Sequence, residues 1–297
     1  MSDALPAAGT RPVLCRSVLF VSGLAIDGLG AALASRADLV CIDIEDAVPP
    51  GRKAGALDAV LALLATLDPA IGSRLVVRIN SLRSVQGIAD LHAFLTRPHA
   101  LAALVLPKVE TADEVRWAGA LADDAASALR FLAIIETPSG LEHCLAIAAA
   151  HPRLWALFFG GFDLSTSLGA EMAWEPLLYA RSRVVHAAAG AGLQVLDSPF
   201  PDLSDAPGLQ AAAARARSLG MTGKTAKDAR QVAAINSAFS PTAAELTHAR
   251  RVIEAHERDP AAPLVIDGKL IELPTIKRLR LTLAAVSPPA RAPGSCA

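Results

Sequence analysis

The chain has 297 residues, 53% of them apolar and only 4% aromatic, with a formal net charge of −1 at pH 7. That near-neutral balance excludes a bulk electrostatic partner such as nucleic acid or an anionic membrane surface. No uninterrupted apolar stretch reaches the roughly 18–20 residues of a membrane span. The opening residues, MSDALPAAGTRPVL, lack the basic and apolar regions of a signal peptide. Cys15, Cys41, Cys144 and Cys296 are scattered and form no CxxC pair, so free thiols in a reducing cytoplasm are expected.

Eight short β-rich runs alternate with helix-like stretches. In order they are SVLFVSG (17–23), DLVCIDIE (38–45), RLVVRIN (74–80), ALVLPK (103–108), RFLAIIE (130–136), LWALFFGG (154–161), LQVLDSPF (193–200) and LGMTGK (219–224). Most are continuously apolar, the pattern of parallel strands buried on both faces. Eight such strands with helical crossovers predict an α/β fold, a closed (βα)8 TIM barrel over residues 1–240. A helix is predicted over 111–128, opened by a capping box from Thr111 to Glu114. Another is predicted over 138–149, with proline early in its first turn.

Residues 241–297 are predicted as a helix–hairpin–helix extension. An amphipathic helix over 241–257 is followed by VIDGKLIEL, which turns at Asp267–Gly268. Pro274 opens a basic helix, and a disordered tail is expected from about residue 287. An extension of this size can cover a barrel mouth, its own or a neighbour's.

In such barrels the active site lies at the C-terminal ends of the strands. Here those ends carry Asp43, Glu45 and Asp46; Arg78 and Asn80; Lys108; Glu136; and Asp163 just after the sixth run. Stability alone does not favour crowding like charges on one rim. Glu136 and Asp163 end neighbouring strands about 4.8 Å apart, so they can share one ion. Oxygen ligands without nearby Cys or His select Mg²⁺, or Mn²⁺. The competing reading is that each acid caps a helix, Glu136 before TPSG and Asp163 before LSTSLG. Arg78 reads as a forked clamp for a substrate carboxylate, as an ion pair to a second-strand acid, or as both. Gly160 and Gly161 would let backbone N–H groups approach a ligand. The loop SLGMTGKT lacks the first glycine of a phosphate loop, and His143 has no partner at ligand spacing.

The segments RSVLFVSG, ADLVCIDIEDAVPPGRKAG, VRINSLRSVQGIADL, LPKVETADEV, AIIETPSGLEHCLAIAAAHPRLWALFFGGFDLSTSLG, LGMTGKTAKDARQVAAINSAFSPTAAEL and DGKLIELP occur in order over nearly the whole chain. Together they resemble the citrate lyase β-subunit-like acyl-CoA lyases of the HpcH/HpaI aldolase group. The resemblance implies a cytoplasmic homotrimer or hexamer that splits malyl-, citramalyl- or citryl-CoA into acetyl-CoA and a 2-oxo acid. It implies Glu136 and Asp163 as Mg²⁺ ligands and Arg78 as the carboxylate-binding arginine. Glu45 and its neighbouring acids would stand behind the metal, and Gly161 would line the substrate. Glu272, in DGKLIELP, stands where related lids carry an Asp, and is expected to serve as acid/base. Departures are Ser22 for Pro, Gly55 for Arg, Ser81 for Pro, and the stretch Ala226–Lys227–Asp228–Ala229 where Ile–His–Pro is usual. The alternatives are an aldolase on a free hydroxy-oxo acid, a citrate lyase subunit acting on a carrier-bound thioester, and a non-catalytic metabolite-binding protein.

Overall fold

All eight runs form strands: β1 (Ser17–Ser22), β2 (Leu39–Asp43), β3 (Leu75–Arg78), β4 (Ala103–Leu106), β5 (Arg130–Ile135), β6 (Leu154–Phe159), β7 (Gln194–Asp197) and β8 (Gly223–Ala226). They pair in parallel in sequence order, and β8 returns to β1 to close the barrel, as expected. The computed structural model describes residues 15–260 and 262–284. The tail expected from about 287 and Cys296 lie outside the described residues.

Strand alternation divides the apolar side chains into two layers. Val18, Phe20, Cys41, Val76, Val105, Ile134 and Phe158 belong to a cluster inside the barrel. Leu19, Ile42, Val77, Leu104, Ala133 and Leu157 pack outward in a larger cluster with the helices. Two residues further along β2, β3 and β5, the inward positions become Asp43, Arg78 and Glu136. The same period that fills the barrel therefore delivers charge to its mouth.

Three local expectations shift. The eighth strand starts four residues later than LGMTGK suggests and ends two later, and its buried members include polar ones: Lys224 and Thr225 are 2% and 4% exposed. Asp197 on β7 makes that burial tolerable. Its carboxylate accepts from Lys224 Nζ at 2.6 Å and Arg181 Nε at 3.0 Å, and its main-chain oxygen accepts from the Thr225 hydroxyl at 3.1 Å. Burial alone would raise the Asp197 carboxyl, but the two cations hold it below its ordinary value. The helix over 111–128 is Ala112–Asp124, with the Thr111–Glu114 capping box present. The stretch 138–149 is two short helices, Pro138–Glu142 and Cys144–Ala148, broken at His143. The ring of His143 bonds the Glu110 carbonyl oxygen at 2.9 Å.

Residues 15–239 form one unit, and the described residues from 240 onward form another. In the second, Thr242 and Glu245 make a capping box on the helix Ala243–Arg258. β9 (Leu264–Ile266) and β10 (Lys269–Ile271) pair antiparallel. Asp267 and Gly268 both take positive φ, 51° and 74°, as a tight two-residue hairpin turn requires. The helix Leu273–Ala284 follows, and Ala249, Val252, Ile253, Ile276 and Leu279 form a small core of their own. No helix among the described residues is long and apolar enough to cross a membrane.

Asp197→Ala would strand two cations in the core of the larger unit. Urea unfolding is expected to show a loss of about 3–5 kcal/mol, the usual cost of breaking a buried pair from one side.

Candidate active site

Five consecutive strands, β2 to β6, end in the charged residues singled out from the sequence. Glu136 follows β5 and is 4% exposed; its Oε1 accepts the Lys108 backbone N–H at 2.9 Å. The next strand ends in Gly160, whose N–H donates to the Ile135 carbonyl at 2.9 Å. A Cβ at Gly160 would lie 2.3 Å from the Glu136 Cβ and 2.7 Å from its Oε2. Glycine there is thus the space that the Glu136 carboxylate occupies. Asp163 lies in the first turn of the helix Gly161–Leu168. Neither acid is a helix cap: Thr137 caps the helix after Glu136, and Gly160 holds the cap position before Asp163. The capping reading is therefore set aside by the geometry.

Arg78, 7% exposed, binds Asp43 in a forked pair, Nε to Oδ1 at 2.9 Å and Nη2 to Oδ2 at 2.5 Å. Its Nη1 lies 3.1 Å from Glu45 Oε2, and its Cζ lies 5.4 Å from the centre of the Phe20 ring. The expected ion pair to a second-strand acid is present. Burial works against its charge, yet Asp43 and Glu45 keep Arg78 above its ordinary value. Glu45 also accepts from Lys108 Nζ through its other oxygen, and Lys108 reaches Asp46 at 3.2 Å. Burial raises the Glu45 carboxyl in spite of these cations.

The Glu136 carboxyl is pushed up to about 8, first by burial and then by the adjoining Asp163, with Arg78 opposing both. Two acids held this close favour a proton or a cation between them. Among the described residues no group of three or more His, Cys, Asp or Glu is placed to hold a metal. A metal here would rest on two carboxylates, with water and ligand oxygens completing its shell. That donor set fits Mg²⁺.

The profile described as HpcH/HpaI aldolase/citrate lyase matches residues 16–229. The chain belongs to this family. Citrate lyase subunit beta of Escherichia coli (strain K12) is 33% identical over 283 residues, covering 91% of this chain and 92% of that one. An L-malyl-CoA/beta-methylmalyl-CoA lyase of Cereibacter sphaeroides (strain ATCC 17029 / ATH 2.4.9) is 32% identical over 303 residues, covering 92% and 94%. The solved structure of CitE from Mycobacterium tuberculosis in complex with magnesium, acetoacetate and coenzyme A superposes with a TM-score of 0.77 at 27% identity, over 91% of this chain and 97% of that one.

Several positions where the HpcH/HpaI pattern lapses have local explanations. Ser22 replaces a proline, and its hydroxyl holds the turn by donating to the Ala47 carbonyl at 3.1 Å while accepting from Leu24 N–H at 3.2 Å. Gly55 lies in the exposed face of the helix Lys53–Thr66. The Gly161 N–H, expected to face a ligand, instead donates to Ser198 Oγ at 2.8 Å. Its absent side chain still matters, since a Cβ would sit 2.7 Å from that oxygen. Lys224 of the GKT segment points to Asp197 and makes no phosphate loop. Glu272 is exposed at the head of the helix Leu273–Ala284, in the other unit.

The sequence marks Lys108 only as a rim cation with no role assigned, and gives Lys53 no place in the site. Lys108 takes a left-handed backbone, φ 52°, which is strained for lysine and aims its N–H at Glu136 while the side chain reaches Glu45. Lys53 donates to the Glu45 carbonyl at 2.8 Å and to Asn80 Oδ1 at 2.5 Å, and Asn80 in turn donates to buried Asp90 at 2.6 Å. This chain of bonds fixes the loop that presents Glu45. A position at a strand end was the available signal for Lys108; nothing local marks Lys53.

A metal on Glu136 would have to displace its proton, so Mg²⁺ affinity measured by calorimetry is expected to rise with pH up to about 8 and level off above it. The metal-free protein should show the opposite trend in stability. The raised carboxyl favours the fold below its ordinary value of 4.5, and that contribution is lost as the pH climbs through about 8. Glu136→Gln should remove both dependences.

Proposed function

We propose that this protein is a Mg²⁺-dependent lyase that breaks or forms the C–C bond of a β-hydroxyacyl-CoA thioester, giving acetyl-CoA and a 2-oxo acid. The observation that carries this reading is the buried Glu136 beside Asp163, with Arg78 near enough to oppose its proton. The relatives named as citrate lyase and malyl-CoA lyase, and the CitE complex with magnesium, acetoacetate and coenzyme A, support the substrate class. The buried free thiols Cys15, Cys41 and Cys144 fit a reducing cytoplasm.

Glu136 and Asp163 would hold the ion, which when bound supplies Lewis-acid polarisation of the substrate's hydroxyl or oxo oxygen. Arg78 orients the carboxylate. Asp43 takes the N–H of Nε and one of Nη2, while Nη1 lies 3.1 Å from Glu45, so the guanidinium keeps N–H groups for a substrate carboxylate. Glu45 acts by fixing Arg78 and Lys108 in that mouth. Glu272, from the lid of a neighbouring subunit in a homotrimer or hexamer, takes the hydroxyl proton. The C–O bond becomes a carbonyl as the C–C bond breaks, and its electron pair passes to the thioester α-carbon. The resulting enolate then takes a proton. Exposed Val265, Leu270 and Leu273 flank Glu272 and support a covering role for this extension.

The test is acetyl-CoA release from malyl-, citramalyl- and citryl-CoA, with Mg²⁺ and then with EDTA. Release should require the metal, and Glu136→Gln should lower kcat/KM by about 10³. Glu272→Gln should lower kcat by about 10²–10⁴, and full activity in that variant removes Glu272 from the proton transfer. Release from none of the three, with Mg²⁺ still bound, would leave a free-acid aldolase or a metabolite-binding protein.

A further inference from the structure

Lys227 stands just beyond β8, two positions after Thr225, so strand alternation turns its side chain inward. Its Nζ lies 4.7 Å from the centre of the Phe20 ring. The Arg78 guanidinium lies 5.4 Å from the centre of the same ring. Two cations therefore flank one aromatic side chain at the barrel mouth.

Their partners differ. Arg78 is held by Asp43 and Glu45, Lys108 by Glu45 and Asp46, and Lys224 by Asp197. Among the described residues no carboxylate pairs with Lys227. The adjacent Asp228 does not, because Arg230 occupies both of its oxygens, Nε on Oδ1 at 2.9 Å and Nη2 on Oδ2 at 2.7 Å. Lys227 is exposed to solvent and lies in the stretch where the sequence departs from Ile–His–Pro. A cation steadied over a ring, without an acid, is ready for an incoming anion.

We propose that Lys227 is a specificity-determining residue that binds a second carboxylate on the 2-oxo acid, so that the acid released or consumed is a diacid. This rests on the lyase reading above. The first carboxylate goes to Arg78, and the shared ring sets Lys227 within a short diacid's length of it. The phosphates of coenzyme A are poor candidates for this cation, because the long pantetheine arm holds them far from the reacting carbon.

Citryl-CoA and citramalyl-CoA differ by one carboxylate in place of a hydrogen, so they isolate this contact. The full-length protein should favour citryl-CoA in kcat/KM by on the order of tenfold or more. Lys227→Met should bring that ratio towards one, mainly through KM, and Lys227→Arg should restore most of it. A ratio unmoved by Lys227→Met, or a wild-type preference for citramalyl-CoA, overturns the proposal. If neither thioester releases acetyl-CoA, the lyase reading fails, and binding of the free acids decides the role of Lys227. Thermal shifts with Mg²⁺ should then be larger for oxaloacetate than for pyruvate, with the difference lost in Lys227→Met. Equal shifts for the two acids overturn it.

Discussion

The site depends on keeping a buried arginine charged. Arg78 is almost fully enclosed, and a lone guanidinium there would be intolerable. Asp43, directly across the β2–β3 ladder, answers it with a forked pair, and Glu45 adds a third contact. The register of two parallel strands therefore makes the pair: Asp43 and Arg78 are Cα partners, so their side chains leave the sheet side by side. Lys108 and Asp46 extend the network around the rim, and Lys53 ties its supporting loop to the end of β3.

Against that balanced half of the mouth, Glu136 and Asp163 form an unbalanced half. Arg78 is close enough to be felt by Glu136 but is already engaged by other acids. The outcome is a carboxyl that prefers a proton in the absence of a cation, beside a cationic group steady enough to hold an anion. On the proposed function, the first would hold a metal and the second a carboxylate. A 2-oxo or 2-hydroxy acid offers complementary groups on adjacent carbons. The electrostatics of this mouth thus support the ligand class proposed from the relatives.

Much of this was legible in the sequence because burial and chemistry are segregated along each strand. LVVRIN and RFLAIIE are apolar until their last residues, so the change of character marks the mouth directly. The pairing of Arg78 with a second-strand acid followed from the same logic. What stayed hidden depends on partners distant in the chain. The eighth strand is expected at LGMTGK, but its shift to GKTA rests on Asp197, 27 residues before Lys224, which accepts from that lysine. The break at His143 depends on a carbonyl 33 residues away. Lys227 registered as a departure from a motif, but its place over Phe20 required the closed barrel.

The left-handed backbone at Lys108 separates two functions that usually share one side chain. Its amine joins the charge network, while its main-chain N–H aims Glu136. Any residue other than proline at this position supplies that N–H, provided the backbone keeps its shape. The electrostatic character of the rim at β4 can therefore drift while the aim of the buried acid is inherited. A barrel wired in this way can explore new charge patterns at the rim without rebuilding the orientation of Glu136.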